Sequence, residues 1–74
     1  MSKLRPLPYR RVIKMLRKFG FVFRRATDGS HEIWWNEQKK KTCVVPYHKD
    51  VKAGTLGSIL RQADISEETF LEAA

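Results

Sequence analysis

Two histidines, a serine beside the first of them, and a cationic stretch without acids are the residues of this chain that could do chemistry. Imidazole is the one side chain whose ordinary titration falls near neutral pH, so it can take or give a proton there. His31 follows Gly29-Ser30 and enters the run Glu32-Ile33-Trp34-Trp35. That context predicts a histidine at the first residue of a strand, where a side chain is both held and reachable. Ser30 is placed to orient a phosphate or the imidazole itself. His48, in Pro46-Tyr47-His48, could serve as a second proton carrier or a phosphate contact. From the residues alone, a strand-end histidine bonded to a turn carbonyl remains the plainer reading of His31, and an exposed loop residue that of His48.

The charge is lopsided. Residues 1–27 hold Lys3, Arg5, Arg10, Arg11, Lys14, Arg17, Lys18, Arg24 and Arg25 and no acid, within a net charge of +7. From Ala63 onward Asp64, Glu67, Glu68 and Glu72 have no basic counterpart. A basic face calls for a polyanion or an acidic protein as partner. Composition does not choose between nucleic acid, an anionic membrane surface and an acidic protein. Arg10, Arg11, Lys14, Arg17, Lys18, Arg24 and Arg25 form the footprint that would meet phosphates if the partner is a nucleic acid, although a solvated helix face carries such residues too. Lys49 and Lys52, with the backbone N–H groups of a helix starting at Thr55, make a second anion site.

Size limits what these groups can do. A chain of 74 residues forms one small domain, residues 1–74, with a thin core and no room for a large enclosed pocket. Chemistry is therefore expected on an open surface, against a polymer or a protein. No apolar run approaches the roughly 20 residues of a spanning helix, and Arg5, Arg10 and Arg11 interrupt any signal-like core. Cys43 is the single cysteine and reads as a buried strand thiol, which suits a reducing cytoplasm. Two histidines with no Cys or carboxylate beside them do not complete a zinc ligand set, so no metal or other cofactor is expected.

The elements that must position these residues follow from periodicity. Pro8 suits a first helical turn, Tyr9, Val12, Ile13, Leu16 and Phe19 recur at helical spacing, and Gly20 stops the helix. Strands are predicted at Phe21–Arg25, His31–Asn36 and Thr42–Val45, the first two joined through Ala26-Thr27-Asp28-Gly29 and the second pair through the charged tip Glu37–Lys41. Pro46 marks the end of the third strand or an edge position. Residues 47–54 read as a loop. Thr55 is the expected N-cap of a second helix carrying Leu56, Ile59, Leu60 and Ala63, and Ser66 opens a short last helix anchored by Phe70 and Leu71. Helices on one face of an antiparallel sheet, an α+β architecture, is the outcome.

Read in order, Phe19-Gly20-Phe21, Gly29-Ser30-His31, Val44-Val45-Pro46-Tyr47-His48, Lys52-Ala53-Gly54-Thr55-Leu56 and Ile59-Leu60-Arg61-Gln62-Ala63 resemble the HicA (YcfA-like) toxins of bacterial toxin–antitoxin pairs. The resemblance runs from about Tyr9 to Ile65. It implies a fold similar to a double-stranded-RNA-binding domain: helix, three-stranded antiparallel sheet, helix. It also implies metal-independent cleavage of messenger RNA, an essential Gly-Ser-His histidine that maps to His31, and a HicB-type antitoxin that masks it. A monomer alone and a heteromeric complex with antitoxin are expected. Two features depart from the family pattern. Trp34-Trp35 stands where smaller or single aromatic residues are common, and Asp64 where a glycine often ends the helix. The two tryptophans must point to opposite faces of their strand, one into the core and one available to a base or the antitoxin.

RNA supplies its own nucleophile, the 2′-OH, so one placed imidazole acting as base or acid contributes about 10²–10⁴-fold. The rival readings are a non-catalytic RNA-binding module of the same fold and a basic protein that chiefly binds an acidic one.

Overall fold

The computed structural model describes residues 3–74. Element β1 (Leu7–Pro8) leads into α1 (Tyr9–Lys18). The strands β2 (Val22–Thr27), β3 (His31–Asn36) and β4 (Lys41–Pro46) follow as a meander, then β5 (Asp50–Val51), α2 (Ala53–Ala63) and α3 (Glu67–Ala73). β2, β3 and β4 form one antiparallel sheet in that order. The class is α+β with double-stranded-RNA-binding-domain-like order and layering, as the sequence predicts.

Helix α1 forms because Val12, Met15 and Leu16 fall on one side and are buried, while Arg10, Arg11, Lys14, Arg17 and Lys18 stay exposed. Gly20 ends it with φ +88°, the left-handed conformation that costs glycine least. The turn is closed by Gly20 N–H to the Arg17 carbonyl at 3.0 Å and Phe21 N–H to the Leu16 carbonyl at 3.0 Å. The chain can then enter β2 at once, with Phe21 fully buried behind it.

Pleat alternation gives the sheet two different faces. Glu32, Trp34, Cys43 and Val45 share one, since Trp34 pairs with Cys43 and Glu32 with Val45. This face is covered by the helices: Trp34, Cys43 and Val45 join Val12, Leu16, Leu56, Ile59, Leu60 and Phe70 in one core. His31, Ile33 and Trp35 alternate onto the opposite face, which no helix covers. At the free side of β4, Gln62 of α2 accepts the Val44 N–H at 2.8 Å, so that edge is closed by a side chain. The free side of β2 has no such cover among the described residues, but its register slips between Phe23 and Arg25, a bulge at Arg24.

Several element boundaries differ from expectation. The first strand begins after Phe21 and runs to Thr27, because Ala26 and Thr27 pair with Glu32 and His31. The hairpin loop is thus three residues, Asp28, Gly29 and Ser30, with Asp28 at φ 44° and Gly29 at φ 81°. β4 likewise extends to Lys41 and Pro46. Pro8 sits just before α1 as its N-cap, not inside the first turn. Thr55 is not a cap: α2 starts at Ala53 behind Lys52, with Leu56 N–H already bonded to the Lys52 carbonyl at 2.8 Å. The reason lies upstream, where the predicted loop contains β5. Leu7 pairs with Val51 and Pro8 with Asp50, and this ladder fixes the chain so that the helix begins two residues later. Ser66 caps α3 as expected, its Oγ accepting the Thr69 N–H at 3.1 Å. Asp64 ends α2 as a glycine would, at φ 58° and ψ 45°, and Lys39 Nζ bonds its carbonyl at 3.0 Å.

Candidate functional site

His31 occupies the first position of β3 and its side chain is 46% exposed. The turn before it holds it in place. Asp28 Oδ1 accepts the Ser30 N–H at 3.2 Å and the Ser30 hydroxyl at 3.0 Å. Ser30 Oγ lies 3.2 Å from His31 Nδ1, and Asp28 Oδ1 lies 3.5 Å from the same nitrogen. Since the Ser30 proton is committed to Asp28, its oxygen is left to accept from Nδ1–H. This network assigns the neutral imidazole a protonated Nδ1 and a free lone pair on Nε2, which points to a proton acceptor aimed away from the turn. The Ser30 backbone N–H, the Ser30 hydroxyl and then His31 hold the Asp28 carboxyl below the usual aspartate range.

Sequence reading placed His31 and Ser30 together and missed Asp28, which it used only as turn chemistry. The signal was present in the spacing. An Asx side chain reaches the N–H two residues on, and here that N–H belongs to the serine next to the histidine.

His48 falls elsewhere. It lies in the loop after β4 and lines a cleft with Pro8, Tyr9, Arg10, Tyr47 and Lys49. Among the described residues no hydrogen bond or ion pair joins it to His31. Lys49 and Lys52 line a second opening with Pro46, His48, Asp50, Val51 and Thr55, so the Asp50 carboxylate shares the space offered to an anion. Another opening, about 680 Å³, lies between Lys3 and Glu67, Glu68, Leu71 and Glu72, an acidic wall that repels phosphate.

The expected cations are all exposed. Arg17 of α1 stands 5.3 Å from the centre of the Trp34 ring on the covered side of the sheet. Arg24 stands 5.1 Å from the Trp35 ring on the open side. Trp34 is core at 1% exposure, whereas Trp35 is half-buried and donates its indole N–H to Glu37 at 3.1 Å.

A clamp ties α1 to the strand that carries His31. The Tyr9 hydroxyl donates to Glu32 Oε1, and Trp34 Nε1–H donates to the same oxygen at 3.1 Å. Burial, with that carboxylate as acceptor, pushes the Tyr9 hydroxyl well above the ordinary tyrosine range.

Among the described residues no three His, Cys, Asp or Glu side chains gather so as to hold a metal ion, and no helix is long and apolar enough to cross a membrane. A comparison with curated proteins found no match. The family described as HicA toxin of bacterial toxin–antitoxin matches residues 9–65, which takes in α1, the whole sheet, α2 and both histidines. With that span and this fold, the chain belongs to the HicA toxin family of bacterial toxin–antitoxin systems.

Proposed function

We propose that this toxin is a metal-independent endoribonuclease acting on messenger RNA in the cytoplasm, with His31 as its general base or acid. The observation that carries the reading is the Asp28–Ser30–His31 network, which anchors Nδ1 and leaves Nε2 open on an exposed rim. In the reaction the RNA 2′-oxygen forms a bond to the adjacent phosphorus while the bond from phosphorus to the 5′-oxygen breaks. Nε2 takes the 2′-OH proton, the departing 5′-oxygen takes one from solvent water, and the imidazolium so formed, its Nδ1 facing Asp28, gives up its proton to solvent afterwards. Ser30 positions the ring. The exposed Arg and Lys side chains bring phosphates to the rim and offset charge on the phosphorane.

Family membership implies an antitoxin partner, and we assign this role to a HicB-type protein that covers His31 and sets carboxylates against the basic surface. A complex that leaves His31 open to solvent would remove that direct block.

The deciding assay incubates the purified toxin with messenger RNA in EDTA, beside His31→Ala. Cleavage by the wild type should fall by about 10²–10⁴-fold in the variant, the range for one lost acid–base group. RNA left intact by the wild type sinks the ribonuclease reading in favour of a binding module of the same fold. Unchanged cleavage by the variant removes His31 from the mechanism.

A further inference from the structure

Tyr47 is 60% exposed, although it follows directly on a strand whose inward residues are buried. Its backbone N–H donates to the Ser30 carbonyl at 2.8 Å, so the backbone that carries the ring is fixed next to the turn that presents His31. It is also held from the side. The Tyr9 and Tyr47 rings meet edge to face, with centroids 4.8 Å apart and planes at 84°. Tyr9 is itself immobilised by its hydroxyl on Glu32 and by its backbone N–H on the Lys49 carbonyl at 3.1 Å. The β1–β5 ladder ties the chain before Tyr9 to the chain after Lys49. Both walls of the cleft lined by Pro8, Tyr9, Arg10, Tyr47, His48 and Lys49 are therefore set before anything binds. Its volume is about 530 Å³, within the range of roughly 300–1,000 Å³ typical of small-ligand sites.

We infer that this cleft is a nucleotide subsite, taking the single-stranded RNA nucleotide next to the one cut at His31; the inference rests on the ribonuclease reading. An exposed, rigid aromatic ring flanked by cations is the pairing that single-stranded nucleic acid requires. The base stacks on the ring and the phosphate meets the charges. Tyr47 supplies the ring face, Arg10 and Lys49 the charges, and His48 a polar edge. An acidic protein segment would engage the two cations but leave the ring face without a flat partner. The location also favours RNA: Pro46 pairs with His31 and the Tyr47 N–H is bonded to the Ser30 carbonyl, so a strand leaving His31 on this side meets the Tyr47 ring. In this arrangement His48 is a nucleotide contact and not the second proton carrier.

The test uses the full chain carrying His31→Ala, so that RNA survives the titration, and reads binding of a fluorescein-labelled single-stranded oligoribonucleotide by anisotropy. Adding Tyr47→Ala should weaken binding by about 5- to 100-fold, the range for losing one stacked base. Tyr47→Phe, which keeps the ring, should restore it, and Tyr47→Leu, which keeps only apolar bulk, should not. Lys49→Ala should reduce the slope of log affinity against log salt by about one. Equal binding by the parent and Tyr47→Ala overturns the inference, as does Leu serving as well as Phe. If Tyr47→Ala keeps its RNA affinity and loses only antitoxin affinity, the cleft is a protein surface and the inference falls. Wild-type cleavage is scored separately. Binding without cleavage, combined with a Tyr47→Ala loss, upholds the subsite while the ribonuclease reading fails. No RNA binding by the parent ends both.

Discussion

Asp28 shows how much of a site can hang on one oxygen atom. Its Oδ1 receives the Ser30 N–H and hydroxyl and faces His31 Nδ1. Because these contacts depress its folded-state titration, any stability it contributes is present above the unfolded aspartate value of about 3.9. That stability is lost as pH falls through the lower folded value. Asp28→Asn keeps a side chain that tolerates φ 44° and can still accept the Ser30 N–H, but removes the charge facing the imidazole. We expect cleavage to fall by roughly tenfold, about 1.4 kcal/mol of transition-state stabilisation, with thermal stability nearly unchanged. Steady-state kinetics beside a melting curve checks both halves. His31 was legible in the sequence because Gly-Ser marks a turn and an aromatic, branched run marks a strand. Asp28 was legible only in part: its spacing predicts the bond to the Ser30 N–H, but that turn role is sufficient reason for an aspartate there, and spacing does not say that the same oxygen also faces the imidazole. His48 was legible as a residue but not as a place. A loop position gives no direction, and β5, which fixes that loop, is too short to have a period.

Between elements, the contact that matters most for the site is the one holding α1 on β3. Glu32 accepts from both Tyr9 and Trp34, and Arg17 covers the Trp34 ring. Glu32→Ala strands the buried Trp34 N–H and frees Tyr9, which should cost about 1–3 kcal/mol in urea unfolding. Cleavage should suffer as well, since Tyr9 and His31 are set by the same carboxylate-bearing strand. Gly20 is a second joint. A Cβ there would lie 3.0 Å from Asn36 Nδ2, whose hydrogen bond to the Phe19 carbonyl at 2.8 Å ties the helix end to β3. Positive φ and this crowding together predict that Gly20→Ala destabilises by about 1–2 kcal/mol, readable as a lower urea midpoint at unchanged slope. The helix stop was visible from the glycine, and β3 was predicted with its observed bounds. The early start of α2 was not visible. A threonine three residues into a helix resembles a cap until the β1–β5 ladder shows where the chain is released.

For the molecule as a whole, one thin core and an uneven charge set the behaviour. Cys43 lies in that core, and burial pushes its thiol up to about 12. An unfolded cysteine titrates near about 8.5, so the folded state holds its proton longer. This contribution is complete below about 8.5 and declines as pH rises toward 12. The native protein should therefore ignore a disulfide reagent at pH 8 and react with one thiol per chain once denatured. The basic α1 and β2 and the acidic α3 were plain in the sequence, whereas the placing of cations on both sides of the sheet was not, because it depends on which rings Arg17 and Arg24 reach, the latter from the bulge in β2. That bulge has a further consequence. β2 presents an unpaired edge bearing Val22 and Phe23, 57% and 49% exposed, which is the kind of template on which a second copy could add a strand. The interruption at Arg24 and the charges of Arg24 and Arg25 spoil that template. Replacing both arginines with threonine should produce concentration-dependent oligomers in sedimentation velocity. The residues proposed to draw RNA to the rim would thus also keep two copies of the toxin from pairing through their β2 edges.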